Sequence, residues 1–427
     1  MTTISFQGGR IEGTISPPPS KSHTHRALFL ASMAKGRSIV TNCLLSADTL
    51  ATMSACRAMG AGISLDGNVA TVDGGELRAP ADPVDAANSG TTMRILTGIC
   101  SLFDDPVTIT GDESLKKRPM GPLLDSLEAC GVECRSNGGL PPVTVKGPNR
   151  GGHMLIDGSV SSQFVTSLLL TSPMLPSGSK VEIGGNLVSA PYLDVTTHMM
   201  GLFGANASRE GNVFTVSGTG YKAYDYSVPA DYSSAAFPLV AGALGGRCTV
   251  TGMDPADPQG DKVILDILRQ AGADVTVEGI SAKVEGRTLK ACDIDMGSVP
   301  DLFPIVTVLL CTAEGDSRLY GAPQLRFKES DRIETTVRMI NALGGNVEGT
   351  DDGCIIHGVR RLRGGHVEHH GDHRIMMSAA VASILCEGPV TMDDPECASV
   401  SFPGFPEAMR TIGLLSEVQR CTRSAPR

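Results

Sequence analysis

The chain has 427 residues, a hydrophobic content of 41% and a formal net charge of −10. This length predicts two or three domains with sizeable cores, and the apolar content excludes a disordered chain. The acidic balance argues against general nucleic-acid binding, and no apolar run reaches the roughly 18 residues of a membrane span. The first residues lack a signal-peptide pattern, so we expect a cytoplasmic protein without a membrane anchor.

The first predicted helix follows a polar cluster that could bind an anion. Pro17 to Pro19 keep the chain extended, and Ser20 or Ser22 can cap a helix whose apolar body begins at Ala27. A helix start offers unpaired N–H groups, and Lys21 and Arg26 add positive charge there. The pattern indicates a phosphate or carboxylate site. The alternative is an ordinary capped helix with solvated basic residues.

The same pattern, a polar cluster before an apolar helix, recurs about every 70 residues. The later clusters are Asn88-Ser89-Gly90, Ser161-Ser162-Gln163, Asp231-Tyr232-Ser233, Pro300-Asp301-Leu302 and Asp372-His373-Arg374. Amphipathic helices end at glycines with a similar spacing, as expected of left-handed C-caps: Gly60, Gly131, Gly204, Gly272, Gly344 and Gly413. Two markers with one period predict six copies of a two-helix unit.

Each copy has the pattern of strand, helix, strand, helix, strand, strand. In the first copy the second helix is predicted over residues 48–59 with Asp48 as N-cap, before a hairpin across Asp66-Gly67-Asn68. In the second copy the corresponding helix is predicted over residues 115–130. The first helix of each copy is apolar nearly all round and should be buried, whereas the second is amphipathic and should lie outside it.

These patterns predict an α/β fold of two similar domains, each made of three repeated βαβαββ units around buried parallel helices. We expect the first domain to span residues 16–228, and residues 1–15 to join 229–427 in the second. The tail beyond about Ser416 is interpreted as frayed or as an appended surface segment.

The cysteines and histidines do not predict a metal site. The 12 cysteines lie mostly in apolar segments, which indicates reduced, buried thiols, and Cys130 and Cys134 lack a second pair for zinc. The other possible metal ligands are four closely spaced histidines, His366, His369, His370 and His373. His373 belongs to one of the recurring polar clusters and the other three follow a turn, so we do not interpret them as ligands, and we expect neither a metal nor another cofactor.

Six motifs together resemble those of the 3-phosphoshikimate 1-carboxyvinyltransferase (EPSP synthase) family, and they occur along nearly the whole chain. They are Pro19-Ser20-Lys21-Ser22 with Arg26, Asn88 to Arg94, Gly111 to Met120, Ser161 to Phe164, Leu325 to Ile333, and Asp372-His373-Arg374. The resemblance implies the enolpyruvyl transferase fold, with the active site between its two domains. It also implies transfer of the enolpyruvyl group of phosphoenolpyruvate to the 5-hydroxyl of shikimate-3-phosphate, through a tetrahedral intermediate, with release of phosphate.

The resemblance also implies roles for individual residues. Asp301 would be the base for the attacking hydroxyl, Glu329 the partner of the phosphoenolpyruvate methylene carbon, and Lys21 a third catalytic group. Shikimate-3-phosphate would contact Lys21, Ser22, Arg26, Ser161, Ser162, Gln163, Ser189, Asp301, Gln324 and Lys328, with Tyr192 close by. Phosphoenolpyruvate would contact Lys21, Asn88, Gly90, Arg118, Gln163, Arg332 and Arg374. These residue types suit the chemistry, because both substrates are anions and the reaction moves protons.

Seen alone, several of these residues have simpler interpretations. Asp301 could only cap a helix, and the segment from Lys328 to Arg332 could be a solvated helix start with local ion pairs. Two positions also depart from the family pattern. Val400 stands where many members have a lysine that contacts phosphoenolpyruvate, and Gln324 stands where asparagine is common.

Two other functions remain open at this point. The related enolpyruvyl transferase that acts on UDP-N-acetylglucosamine shares the fold, but it typically has Lys-Asn where this chain has Lys21-Ser22. A non-catalytic protein that binds phosphorylated metabolites could be built on the same repeats, although Asp301 and Glu329 argue against it. We expect a monomer that binds small-molecule substrates.

Overall fold

A computed structural model of the protein describes residues 2–420. Its α-helices are α1 (Lys21–Met33), α2 (Ala47–Ala58), α3 (Gly90–Cys100), α4 (Gly121–Glu128), α5 (Ser162–Thr171), α6 (Pro191–Leu202), α7 (Tyr232–Gly245), α8 (Ile264–Gln270), α9 (Phe303–Leu310), α10 (Arg332–Ala342), α11 (His373–Ala382) and α12 (Phe405–Arg410). The odd-numbered helices open the repeats and are buried on nearly all sides, as their apolar sequences predict.

The strands are short, as expected of repeated small sheets. They are β1 (Thr2–Gln7), β2 (Ile11–Ile15), β3 (Gly36–Thr41), β4 (Gly62–Asp66), β5 (Val69–Gly74), β6 (Val84–Asp85), β7 (Val107–Thr110), β8 (Glu133–Asn137), β9 (Leu140–Lys146), β10 (Gly152–Asp157), β11 (Ser179–Gly184), β12 (Ala207–Glu210), β13 (Val213–Val216), β14 (Tyr226–Ser227), β15 (Gly246–Thr251), β16 (Asp274–Glu278), β17 (Ser281–Glu285), β18 (Ile294–Asp295), β19 (Asp316–Tyr320), β20 (Asn346–Gly349), β21 (Cys354–His357), β22 (Gly365–His366), β23 (Val390–Asp393) and β24 (Leu415–Arg420).

The strands form six four-stranded sheets, one for each repeat. The second repeat shows the common order, β6-β7-β9-β8, in which the first pair is parallel and the other two pairs are antiparallel. A parallel pair needs a crossover connection, and here the buried helix provides it. The α/β class and the six βαβαββ repeats predicted from the sequence are therefore confirmed.

The described chain divides into two compact units. We call Pro19–Pro229 the continuous unit, and residues 2–18 together with 230–420 the split unit. Each unit has its own cluster of buried apolar side chains, into which its three odd-numbered helices pack. Each unit can therefore bury enough surface to be a domain.

Three strands pair with strands of a repeat that is distant from them in the sequence. β2 comes directly before α1, yet it pairs with β15 in the split unit, and β14 comes before α7, yet it pairs with β3 in the continuous unit. The N-terminal strand β1 lies between β23 and β24 and completes the sixth sheet. The first residues of the chain are thus part of the split unit.

The six glycines predicted to end the second helices all adopt positive φ angles, between +83° and +103°. Such angles are costly for residues with a Cβ atom, so these positions favour glycine. The regular spacing of these glycines therefore reflects the same left-handed backbone conformation at the end of the second helix in each repeat.

Three local predictions were wrong. Ser46, not Asp48, is the N-cap of α2, where the Thr49 hydroxyl accepts a hydrogen bond from the Ser46 N–H. The helix predicted over residues 115–130 is broken near Pro119 into a 3-10 turn (Leu115–Lys117) and α4, because proline cannot supply an interior N–H group. The tail beyond Ser416 is paired as β24 through Arg420, and residues 421–427 lie outside the described residues.

Among the described helices, none combines the length and the apolar character that a membrane span requires. The eleven cysteines within residues 2–420 are free, and most are buried, in agreement with the prediction of reduced thiols.

The pairing of β1 predicts a large cost for truncating its inward-facing side chains. Ile4 is fully buried, so Ile4→Ala should destabilise the split unit by about 2–5 kcal/mol. Ile280 lies in the same unit and is 58% exposed, so Ile280→Ala should cost less than about 0.5 kcal/mol. Denaturant unfolding of the full chain measures both. Equal effects of the two substitutions would mean that β1 contributes little to this core.

Candidate functional site

The continuous unit places a lysine and three arginines near the starts of its buried helices. At the first turn of α1, Lys21 Nζ lies 3.0 Å from Asp48 Oδ2, in the first turn of α2. Both side chains are largely buried, and Asp48 Oδ1 has no hydrogen-bond partner among the described residues. Asp48 therefore fixes the position of the Lys21 ammonium group.

Arg26 of α1 contacts both α5 and α6 through neutral oxygen atoms, and its Nη2 donates to Thr166 Oγ1 of α5 at 3.4 Å. Its Nε donates to Thr196 Oγ1 at 2.9 Å, its Nη1 to the Ser22 carbonyl at 3.0 Å, and its Nη2 to the Tyr192 carbonyl at 3.2 Å. Burial lowers the pKa of Arg26 to about 10, which still leaves it charged at neutral pH. Because hydroxyl and carbonyl oxygens do not neutralise the charge, Arg26 remains able to attract an anion.

Gly90 opens α3 beside two guanidinium groups. A Cβ atom built at Gly90 would lie 3.3 Å from Arg118 Nη1 and 3.6 Å from Arg94 Nη1. Asn88 accepts from Arg118 Nη2 and donates to Asp112 Oδ2 at 2.6 Å. Glycine at this position therefore leaves room for the two arginine side chains.

The start of α5 contributes polar side chains to the same place. Ser161 caps α5 by accepting from the Gln163 N–H, and Gln163 Oε1 accepts from Arg94 Nη1 at 2.6 Å. Ser162 is buried beside them, and Ser189 precedes α6 with a left-handed φ of +54°. Such an angle is uncommon for serine and is held by the surrounding structure.

The structure thus brings Asn88, Gly90, Arg118, Ser161 and Gln163 together, as the sequence predicts. The sequence analysis did not assign Arg94, which contacts Ser161 and Gln163. Its position one helical turn after Gly90 could have revealed it, because residues four apart share one helix face.

The split unit contains a different kind of cluster, centred on Arg332. The Arg332 side chain is 1% exposed and contacts three carboxylates. Its Nε lies 2.9 Å from Asp372 Oδ2, its Nη1 lies 2.9 Å from Asp301 Oδ1, and its Nη2 lies 2.5 Å from Glu329 Oε2. Burial lowers the pKa of Arg332, but these carboxylates outweigh burial and raise it above its usual value.

Asp301 is shared by a second arginine and a lysine. Its Oδ2 lies 2.8 Å from Arg374 Nη2, and its Oδ1 lies 4.0 Å from Lys328 Nζ. Burial raises the pKa of Asp301, but the charges of Arg374, Lys328 and Arg332 outweigh burial and hold it well below its usual range. Asp301 lies within the 3-10 turn Pro300–Leu302 rather than at an N-cap, and its carboxylate forms ion pairs with Arg332 and Arg374.

Two other positions of the predicted site, Gln324 and Val400, are buried or half-buried. Gln324 is 2% exposed, its Nε2 donates to the Gly297 carbonyl at 3.1 Å, and its Oε1 has no partner among the described residues. Val400 is half-buried at the end of a 3-10 turn, Pro395–Val400.

Three of the four histidines considered as metal ligands have separate partners, and the fourth, His373, is buried at the start of α11. His366 contacts Thr391, His369 contacts the Asp393 carbonyl, and His370 contacts Glu368. Over residues 2–420, no group of three or more His, Cys, Asp or Glu side chains is placed to hold a metal ion.

Residues 6–409 match the family model described as EPSP synthase (3-phosphoshikimate 1-carboxyvinyltransferase). A 3-phosphoshikimate 1-carboxyvinyltransferase from Methanocorpusculum labreanum is 46% identical over 95% of this chain and 97% of its own. The protein of the same name from Methanocaldococcus jannaschii is 39% identical over 96% of this chain and 98% of its own. A solved EPSP synthase structure from Acinetobacter baumannii has a TM-score of 0.83 and 31% identity, and it covers 98% of this chain and 100% of its own.

The burial of Arg332 predicts that removing one of its partners destabilises the split unit. Asp372→Asn keeps the size of the side chain but removes a negative charge, so we expect a loss of about 3 kcal/mol. Asp316→Asn is a suitable control, because Asp316 is exposed and pairs with His357 at the surface; its effect should stay below about 1 kcal/mol. Denaturant unfolding near neutral pH measures both variants. An unchanged midpoint for Asp372→Asn would show that Arg332 does not need this partner.

Proposed function

The chain belongs to the EPSP synthase (3-phosphoshikimate 1-carboxyvinyltransferase) family, and we propose that Asp301 and Glu329 carry the proton transfers of its reaction. The enzyme transfers the enolpyruvyl group of phosphoenolpyruvate to the 5-hydroxyl of shikimate-3-phosphate and releases phosphate. This reaction belongs to the shikimate pathway, which leads to the aromatic amino acids. The acceptor is therefore shikimate-3-phosphate and not UDP-N-acetylglucosamine.

One observation supports the proposed acid–base pair most strongly. Asp301 and Glu329 bind neighbouring nitrogens of one guanidinium group, that of Arg332. Proton transfer requires hydrogen-bond distance. Two carboxylates held this close together can therefore act on neighbouring atoms of shikimate-3-phosphate and phosphoenolpyruvate. Both side chains also keep part of their surface exposed, about a fifth of each.

Asp301 acts on the attacking hydroxyl as a hydrogen-bond acceptor. With a strongly lowered pKa, it remains an ionised carboxylate and orients the 5-hydroxyl toward C2 of phosphoenolpyruvate. As the C–O bond forms, the hydroxyl oxygen becomes strongly acidic, so even a weak base can take its proton. Asp301, whose neighbouring cations hold its pKa low, is such a weak base.

Glu329 acts at the methylene carbon of phosphoenolpyruvate. Glu329 takes up a proton from solvent before the substrates react and delivers it to C3 as the C–O bond forms at C2, which leaves Glu329 ionised and converts the methylene group into a methyl group in the tetrahedral intermediate. When the C–O bond to phosphate breaks, Glu329 takes a proton back from the methyl group and the double bond forms again. The proton taken up by Asp301 leaves with the phosphate. Microscopic reversibility allows one group to serve both steps.

The remaining assignments rest on charge and hydrogen-bonding groups. We assign shikimate-3-phosphate to Lys21, Ser22, Arg26, Ser161, Ser162, Gln163, Ser189, Asp301, Gln324 and Lys328. We assign phosphoenolpyruvate to Lys21, Asn88, Gly90, Arg118, Gln163, Arg332 and Arg374. Arg26 supports this assignment most clearly, because its contacts are to neutral oxygens and its charge is available to an anion. A monomeric state and a cytoplasmic location stay predictions of the sequence.

Amide variants test the acid–base pair. Asp301→Asn and Glu329→Gln keep the shape of each side chain but cannot accept or deliver the proton, so turnover should fall by about 10²–10⁴ in each. Shikimate-3-phosphate affinity should change by less than about tenfold, because the serines and Arg26 are untouched. A phosphate-release assay measures turnover, and calorimetric titration measures affinity.

The controls are Asp316→Asn and Glu334→Gln, whose carboxylates are exposed in the same unit. Both should keep turnover within about twofold of the wild type, as surface substitutions usually do. Near-normal turnover in Asp301→Asn or Glu329→Gln would show that the carboxylate concerned is structural, and that part of the proposal would be wrong.

A further inference from the structure

Glu329, the residue proposed to move protons at the methylene carbon, lies in the stretch of chain that precedes α10. This stretch begins with the 3-10 turn Pro323–Phe327 and continues through residues 328–331 to the first residue of α10. We call it the 323–331 segment. It also carries Gln324 and Lys328, which are assigned to shikimate-3-phosphate, so its backbone path determines where three site residues lie.

Arg326 lies in the middle of this segment, and its guanidinium group donates hydrogen bonds in three directions. Nη1 donates to Asp331 Oδ2 at 2.8 Å, Nη2 to the Thr350 carbonyl at 2.8 Å, and Nε to the Asp351 carbonyl at 3.1 Å. Thr350 and Asp351 belong to the hairpin tip, residues 350–353, which connects β20 to β21. A guanidinium group can form such a junction because its donors point in fixed, diverging directions.

The hairpin tip is also bonded to the chain just before the segment. Asp352 Oδ2 accepts from the Gly321 N–H at 2.9 Å, and the Asp352 carbonyl accepts from the Ala322 N–H at 2.8 Å. Within the tip, the Thr350 hydroxyl donates to Asp352 Oδ1 at 3.2 Å. These bonds make the tip a fixed support against which Arg326 can hold the segment.

Asp331 connects the other end of the segment to α10. Its Oδ1 accepts from the Glu334 N–H at 3.1 Å as the N-cap of this helix, while its Oδ2 binds Arg326. Arg332 follows directly in the chain, and its Nη2 lies 2.5 Å from Glu329 Oε2. Glu329 therefore lies between two fixed groups, with Arg326 before it in the chain and Arg332 after it.

Arg326 contributes little to the core of the split unit. Its side chain is 35% exposed and that of Asp331 is 37% exposed, and an ion pair with so much exposure adds little stability by itself. The two backbone carbonyls nevertheless fix the position of the guanidinium group. Loss of Arg326 should therefore displace the segment without unfolding the unit.

We propose that Arg326 is a positioning residue for enolpyruvyl transfer, which holds Glu329 and Lys328 in place by joining the 323–331 segment to the hairpin tip. The inference rests on the proposed role of Glu329 in proton transfer. Glu329 must lie close to the methylene carbon to exchange a proton with it. A misplacement of about 1 Å can lower the rate by about 10², so the order of this segment matters for turnover.

The main test is Arg326→Gln, which removes the charge and cannot reach all three acceptors. Its kcat should be about 10- to 100-fold lower, measured by phosphate release at a temperature at which the protein is folded. The KM for phosphoenolpyruvate should change less than about threefold, because the residues assigned to this substrate lie outside the segment.

The matched control is Arg338→Gln, which changes an exposed arginine of α10 that pairs with Glu334. Its kcat should stay within about twofold of the wild type. A wild-type kcat in folded Arg326→Gln would overturn the proposal. If Arg326→Gln does not fold, Arg326→Lys replaces it: one ammonium nitrogen cannot reach three separate acceptors, so kcat should be at least about threefold lower. A wild-type kcat in Arg326→Lys would then overturn the proposal.

A double-mutant cycle tests whether Arg326 acts through Asp331. Asp331→Asn keeps a good N-cap but removes the charge that Arg326 contacts, so kcat should fall about three- to tenfold. In the Arg326→Gln background the same substitution should lower kcat by less than about twofold, because the contact is already lost. Equal losses in both backgrounds would show that the two residues act independently, contrary to the proposal.

Amide hydrogen exchange, followed by mass spectrometry, provides a readout that does not depend on activity. In Arg326→Gln, peptides that cover residues 321–331 should exchange faster than in the wild type, while peptides from β1 should be unchanged. Equal acceleration in both regions would indicate a general loss of stability and would reject a positioning role. Unchanged exchange in residues 321–331 would show that the segment is held without Arg326.

Glu329→Gln distinguishes failure of the inference from failure of the role on which it rests. If Glu329→Gln keeps near-normal turnover, the proposed role of Glu329 is wrong. If Glu329→Gln loses turnover while Arg326→Gln keeps the wild-type kcat, the role of Glu329 holds and only that of Arg326 is rejected.

Discussion

The guanidinium group of Arg332 fixes the arrangement of the acidic residues in the split unit. Removing such an ion from water costs several kcal/mol unless its hydrogen-bonding groups are satisfied, and each of its three nitrogen atoms contacts a carboxylate. These carboxylates come from the turn before α9, the loop before α10 and the N-cap of α11. One buried charge therefore joins the starts of three helices, and it holds Asp301 and Glu329 close to each other.

Arg26 of the continuous unit and the arginines of the split unit have different surroundings, and this difference suits two demands of the proposed chemistry. In the continuous unit, Arg26 contacts hydroxyl and carbonyl oxygens, so its charge remains available to an anion. In the split unit, Arg332 and Arg374 are bound to carboxylates, which sets the pKa of Asp301. The first arrangement is suited to binding anions, and the second is suited to controlling the ionisation of acids.

The sequence predicted those features that depend on local patterns. The roughly 70-residue period, the buried first helices and the helix-ending glycines each reflect a local backbone or packing requirement. Pairings between distant segments were harder to predict. The pairing of β1 with β24 and the exchange of β2 and β14 depend on strand partners that no local pattern identifies.

The account depends on proton transfer to and from the methylene carbon during enolpyruvyl transfer. Running the wild-type reaction with shikimate-3-phosphate in deuterium oxide and recording proton NMR spectra of the products tests this most directly. Protonation of C3 creates a methyl group from which any hydrogen can later leave, so the account predicts deuterium in the vinyl methylene group of the product. Release of phosphate with a methylene group that remains free of deuterium would contradict it.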